Sequence, residues 1–229
     1  MLSIIMPTLN AETGLARSLP VLARGVIAGR GGQLVIGDGG SSDQTLAMAD
    51  AAGADIAHAE RGRGVQLAEG AKLARGDWLL FVHADTVLAE GWERAVARFI
   101  DQAATQADTR RAAVFRFKLD DTGWRARMLE WIVTARTRLL ALPYGDQCLL
   151  ISRAYYDEVG GFKAIPIMED VDMVRRIGRR RLHVLAHDAV TSAERYHKSG
   201  YLRRMGRNLV CISLWFSGVA PERIVRIYQ

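Results

Sequence analysis

Residues Leu79–Leu88 read "LLFVHADTVL". Leucine, phenylalanine and valine follow one another without a polar residue, and the run then ends in His83-Ala84-Asp85. An unbroken apolar run fits a strand buried on both faces, the habit of parallel sheets covered by helices. Such a strand gains nothing from finishing in two metal-capable side chains. A functional site at its exit accounts for them; the competing reading is a surface turn leading into Thr86.

The same grammar repeats on the N-terminal side. The short apolar runs "LSIIMP", "QLVIGD" and "ADIAHA" alternate with "ETGLARSLPVLARGVIA", "SDQTLAMADAAG" and "RGVQLAEGAKLARG", where apolar residues recur every three or four positions. Strands alternating with amphipathic helices predict βαβ units in an α/β fold, with a mostly parallel central sheet flanked by helices. Pro20 predicts a kink or break in the first helix, and Ser41-Ser42-Asp43 supply N-caps for the second. Further on, "AAVFRFKL" and "QCLLIS" read as strands, while Trp124–Leu140, Asp170–Gly178 and Tyr201–Phe216 read as helices. No linker interrupts the chain, so one continuous domain is expected over residues 1–229.

Ligands of open parallel sheets bind outside the carboxyl ends of the strands. The residues at those ends are Pro7-Thr8-Leu9-Asn10, Gly37-Asp38-Gly39-Gly40-Ser41 and His83-Ala84-Asp85. Asp38 sits between glycines that permit a sharp turn, and its carboxylate can accept hydrogen bonds from a base or ribose, or stabilise its own turn. Carboxylate oxygens such as those of Asp85 suit Mg²⁺ or Mn²⁺ that keep phosphate oxygens as further ligands. Arg61 and Arg63 precede a helix, where guanidinium groups and the helix terminus together favour anions. Glu169, Asp170 and Asp172 open another helix, which suits either dipole capping or a general base.

Composition narrows the class. Hydrophobic residues make up 49% and charged residues 24%, as in soluble globular proteins. The opening segment lacks a basic n-region, and "LVCISLWFSGVA" is too short to cross a bilayer, so a cytoplasmic protein is expected. Cys148 and Cys211 form neither a metal spacing nor a disulfide framework and read as core residues. The net charge of +6 gathers late in the chain, from Arg175 to Arg207. No helix-turn-helix, zinc-finger or RNP pattern accompanies it, which sets nucleic acid aside. An anionic membrane surface or phosphate contacts remain as readings beside a plain solvated face.

Taken together, the motifs resemble the inverting glycosyltransferase family two, with its GT-A nucleotide-sugar-binding (Rossmann-like) fold. "SIIMPTLNAE" is similar to that family's opening strand and turn, "IGDGGSSDQT" to its nucleoside-binding element, and "ARGDWLLFVHADTVL" to the strand carrying its D-x-D motif. "YGDQCLLISRAYYDEVGGF" and "MEDVDMVRRIGRR" resemble its acceptor segment and its catalytic E-D motif. "HAD", "PYGDQ" and "GVAPERIVRIY" look closest to a small bacterial subgroup labelled by association with arsenosugar biosynthesis.

The resemblance implies a nucleotide-sugar-binding half over about 1–110, and an acceptor half with C-terminal helices over about 111–229. It implies that Pro7, Thr8, Asn10, Glu12, Asp38, Arg63, His83 and Ala84 hold the nucleotide. Asp85 would bind a divalent metal (Mn²⁺ or Mg²⁺) on the donor pyrophosphate. Asp170 would be the base with Glu169 beside it, and Asp146 and Gln147 would face the acceptor. The partners implied are a UDP- or GDP-type sugar donor and a small-molecule or lipid-linked acceptor, with peripheral contact at the inner face of the membrane. The chain departs from the pattern at His83, Ala11 and Ala68, where the family usually has Asp, Glu and Asn. Those departures keep open a non-catalytic nucleotide- or glycan-binding relative. A sugar-nucleotide nucleotidyltransferase is the other alternative, although "PTLNAETGL" lacks its glycine-rich basic loop.

Overall fold

The first strand, β1 (Leu2–Thr8), shows how the sheet is built. Its side chains alternate between faces. Ile4 and Met6 enter one core, whereas Ile5 enters the core on the other side. The structure, a computed structural model, describes residues 1–28 and 32–228. After β1 the chain runs through α1 (Glu12–Ala28), β2 (Gly32–Asp38), α2 (Thr45–Ala51), β3 (Asp55–His58), α3 (Arg63–Leu73), β4 (Trp78–Phe81), β5 (Thr86–Leu88) and α4 (Trp92–Thr105). The second half contains β6 (Ala112–Leu119), α5 (Trp124–Leu140), a 3₁₀ turn (Gly145–Gln147), β7 (Leu149–Ser152), α6 (Arg153–Glu158) and α7 (Glu169–Ile177). It ends with β8 (Leu182–Thr191), α8 (Glu194–Ser199), α9 (Tyr201–Phe216) and α10 (Pro221–Tyr228).

All eight strands form one sheet in the order β3-β2-β1-β4-β7-β6-β8-β5. The pairings among β1–β4 are parallel, as expected from the alternation in the first half. Beyond β4 the sheet becomes mixed: β7 is antiparallel to β4 and β6, and β5 is antiparallel to β8. This reversal matters for the site. Leu149 at the start of β7 pairs with Phe81 at the end of β4, so the 3₁₀ turn before β7 lies at the same sheet edge as His83.

Helices cover both faces. Leu15 and Leu22 of α1, with Trp92 and Phe99 of α4, pack on Ile4, Ile36 and Leu80. Leu67 and Ala71 of α3, with Met173 and Ile177 of α7, pack on Ile5, Val35, Leu79 and Phe81. A smaller core lies beneath α5 and α9, where Ala126, Leu129 and Val133 meet Phe117, Leu119 and Tyr201. The expected break at Pro20 is absent: α1 continues through it. Pro20 and Ala16 are both exposed, so the carbonyl that loses its partner lies on the solvent side of the helix.

Candidate active site

The nucleotide-type loops are stitched to one another. Asp38 is 1% exposed and accepts four hydrogen bonds: from the N–H groups of Gly40 (2.9 Å) and Ser41 (2.8 Å), and from the hydroxyls of Ser41 (2.5 Å) and Thr8 (2.8 Å). Burial opposes its charge, but these donors outweigh that and hold its pKa below the ordinary range. The turn-stabilising reading of Asp38 is therefore met in full. Asn10 adopts a left-handed φ of 48° that asparagine tolerates. Its side-chain oxygen accepts the Ser42 N–H at 2.9 Å, and its own N–H donates to Ser41 Oγ at 2.9 Å. Glu12 accepts the Gln44 N–H at 3.1 Å, and Asp43 accepts the Thr45 N–H at 3.0 Å, but the N-cap of α2 is Gln44, without a side-chain cap, and not the expected Ser41-Ser42-Asp43. Pro7 is buried within β1, and the Thr8 carbonyl accepts from Gln66 Nε2 at 2.6 Å, a support that no sequence signal announced.

The turn His83-Ala84-Asp85 lies against α1. A Cβ on Gly14 would sit 2.8 Å from the Ala84 carbonyl oxygen, so glycine is needed for that close approach. Asp85 is partly exposed, with Arg195 at 3.5 Å, and its charge also acts on His83, Arg63 and Asp146. Among the described residues no group of three or more His, Cys, Asp or Glu side chains is placed to enclose a metal ion. One hard, accessible carboxylate fits a Mg²⁺- or Mn²⁺-type ion that takes its remaining ligands from substrate phosphates. His83 does not complete a cage. A Cβ on Gly145 would lie 2.5 Å from its Nε2 and 3.5 Å from Oδ2 of Asp170, which puts both groups over the same glycine. Burial, followed by the Arg63 charge, pulls His83 down to about 4, so its imidazole is neutral at physiological pH.

Asp170 and Glu169 open α7 and differ in their partners. Asp170 lines a pocket together with Glu169, His83, Tyr144, Gly145 and Phe162. Its Oδ2 accepts the Gly145 N–H at 2.7 Å and its Oδ1 the Val171 N–H at 2.7 Å. Glu169 is 1% exposed and ion-paired to Arg63 at 2.9 Å, without a donor in hydrogen-bond geometry on either oxygen. Burial raises its pKa to about 7 against the lowering effect of Arg63. Burial works against the charge of Arg63, but Glu169 and then Asp170 outweigh it and raise the pKa of the guanidinium. The pair of Arg63 and Glu169 thus links α3 to α7.

Asp146 and Gln147, adjacent in the chain, part company. Asp146 is pushed up to about 6 by burial, offset by Arg136 and reinforced by Asp170. Its Oδ1 is buried without a partner. Gln147 is 2% exposed, accepts from Thr137 at 2.8 Å and donates to the Phe115 carbonyl at 3.0 Å. Both ends of its amide are occupied by the core, so it braces the turn and does not reach the pocket.

The fold and this sheet-edge cluster define the class: an α/β protein of the GT-A type, with its polar loops gathered where parallel strands end. The Glycosyl transferase family 2 profile matches residues 3–160, and the chain belongs to that family. The matched span ends before Glu169 and Asp170. Among curated proteins, the chain is similar to the PGL/p-HBAD biosynthesis glycosyltransferases of Mycobacterium tuberculosis and Mycobacterium bovis, at 40% identity over 110 residues. That match spans 44% of this chain and 42% of those proteins, so less than half of their length is represented. Among solved structures, S. aureus TarS 1–349 in complex with UDP superposes with a TM-score of 0.62 at 19% identity, covering 99% of this chain and 69% of that one. Mycobacterium tuberculosis glucosyl-3-phosphoglycerate synthase, solved with Mn²⁺, UDP and glucosyl-3-phosphoglycerate, gives 0.54 at 17% identity, covering 83% and 70%.

Proposed function

We propose that this chain transfers a sugar from a nucleotide-diphosphate sugar to an acceptor hydroxyl with inversion. Asp170 is the base: it takes the hydroxyl proton as the oxygen attacks the anomeric carbon and the bond to the nucleoside diphosphate breaks. The observation that carries this reading is Asp170 opposite the neutral His83 across Gly145, in one pocket, with Asp85 two residues beyond His83 in the chain. Thr8, Asn10, Glu12 and Asp38 form the walls of the nucleoside side, with Pro7 and Ala84 shaping the strand exits. Asp85 and the donor phosphates would hold Mn²⁺ or Mg²⁺, which neutralises charge on the departing nucleotide. A uridine donor draws support from the UDP-bound neighbour. The resemblance to the subgroup labelled for arsenosugar biosynthesis names no acceptor.

The outer face of α5 and α9 supports peripheral contact with an anionic membrane, which would bring a lipid-linked acceptor within reach. The central test is release of nucleotide from a panel of UDP- and GDP-sugars, with and without Mn²⁺, by the wild type and by Asp85→Ala. Metal-stimulated release that Asp85→Ala abolishes supports the reading. A chain that binds no nucleotide under any metal condition overturns it.

A further inference from the structure

Three arginines on the acceptor side share one unusual arrangement. Arg136 of α5 lies 3.5 Å over the ring of Tyr144, Arg204 of α9 lies 5.2 Å over Tyr196, and Arg207 of α9 lies 5.3 Å over Tyr228. Each guanidinium is stacked and half-buried, and each keeps a buried N–H without a partner: Nη2 of Arg136, Nε of Arg204 and Nε of Arg207. A buried charged donor left unpaired is costly, and folded proteins rarely keep one without use. Among the described residues, three of the four arginines with such a nitrogen are these stacked ones; the fourth, Arg176, is ion-paired to Asp172 at 2.6 Å. The nearby Asn208 and Asp146 each also carry a buried side-chain oxygen without a hydrogen-bond partner.

The same groups surround one region. Tyr144 lines the pocket with Asp170. The charges of Asp146, Arg204 and Tyr228 all act on Tyr196, and that of Tyr228 acts on Arg63. Helical spacing places Arg204, Arg207, Asn208 and Cys211 on one face of α9, and Cys211 is fully buried against Ile167, Met168 and Val171 at the start of α7. The arginine face of α9 is therefore turned toward the end of α7 that carries Asp170.

We infer that Arg136, Arg204 and Arg207 form an oxyanion subsite for a phosphate or carboxylate group on the acceptor. Stacking on tyrosine holds each guanidinium in place before the ligand arrives and leaves its free edge for charge-assisted hydrogen bonds. The inference rests on the transferase reading, and it specifies an anionic acceptor whose charged group lies on the α9 side of Asp170.

Inorganic phosphate is the probe. It is titrated into the ¹⁵N-labelled chain, alone and after saturation with UDP, while the arginine Nε–H signals are followed. Those of Arg204 and Arg207 are assigned with Arg204→Lys and Arg207→Lys. Both signals are expected to shift with phosphate in either state. Arg204→Gln and Arg207→Gln should each weaken phosphate by about tenfold, the loss of one charge-assisted hydrogen bond, and leave UDP affinity unchanged. Unaltered circular dichroism shows that the variants fold, and the lysine variants recover part of the affinity. Signals insensitive to phosphate overturn the inference. So does phosphate that UDP displaces, since the arginines would then serve the donor diphosphate. Phosphate binding by a chain that ignores every nucleotide keeps the subsite and sinks the transferase reading.

Discussion

Asp170 and Glu169 differ by one position, yet their environments demand opposite behaviour. Asp170 faces the pocket, so Asp170→Asn should leave the fold and nucleotide affinity intact and slow transfer about 10²–10⁴-fold. A mere helix cap would instead show up as about 0.5–2 kcal/mol of lost stability with transfer preserved. Glu169 is buried, and its pKa near 7 lies above the ordinary 4.5. The folded state therefore binds the proton more tightly than the unfolded state. That stability is fully present below about pH 4.5 and is lost as pH rises toward 7, with an upper bound of roughly 3 kcal/mol. Denaturant midpoints from pH 4 to 8 should fall across this window for the wild type and fall less for Glu169→Gln, in which Asp146, pushed up to about 6, still titrates. The partner gives a second contrast. Arg63→Met strands a buried carboxylate, which costs about 3–5 kcal/mol at pH 8 and much less at pH 5, where Glu169 takes up a proton instead. Equal destabilisation at both pH values would show that the Arg63 stem, and not its charge, matters.

At the scale of elements, the close approach of α1 to the turn after β4 sets two known effects against each other. Replacing a helical glycine with alanine normally stabilises by roughly 0.5–1 kcal/mol. At Gly14 the new Cβ would lie 2.8 Å from the Ala84 carbonyl oxygen, a backbone atom that cannot swing aside. The clash should win, so Gly14→Ala lowers the melting temperature and weakens metal-dependent nucleotide binding through Asp85. A melting temperature at or above the wild type would show that the turn yields freely. The βαβ alternation and the turn at Asp38 were legible because both-face burial leaves strong apolar runs. The bounds of α5 and α9 were readable for a similar reason: their apolar residues recur at helical spacing. The strand β8 was not, because "LHVLAHDAVT" is half-exposed along much of its length and carries His183, His187 and Asp188 among its apolar residues. Arg63 could not be matched to its ion-pair partner for a different reason. Its partner Glu169 stands more than a hundred positions away, and only the packing of α3 beside α7 brings them together.

Across the whole molecule, exposed apolar surface and positive charge coincide. Of twelve large hydrophobic side chains that are exposed among the described residues, nine lie on α5, α9 and α10. They include Trp124 and Trp131, seven positions apart and 70% and 72% exposed, and Leu202, Leu209 and Phe216, also spaced by seven. Since α5 and α9 both pack inward on the core of Phe117 and Leu119, these lines share the outer side of one layer. Residues 124–140 and 194–228 together contain eleven basic and three acidic side chains, and with Arg136, Arg204 and Arg207 stacked inward on tyrosines eight basic side chains remain for the outer side. Two copies joined by this face in a symmetric dimer would bring like charge against like. An anionic lipid surface meets both needs: it accepts tryptophan at the headgroup level and attracts arginine, at about 1 kcal/mol per basic residue near the surface. Among the described residues no helix is long and apolar enough to cross a membrane, so the contact expected is peripheral. The chain should sediment with phosphatidylglycerol vesicles at low salt, release as salt rises, and ignore neutral phosphatidylcholine. Trp124→Ser with Trp131→Ser should abolish sedimentation and leave nucleotide binding unchanged, since neither residue approaches the pocket. Vesicle binding that is indifferent to lipid charge, or a dimer in lipid-free solution that the same substitutions dissolve, would assign the face to a different partner.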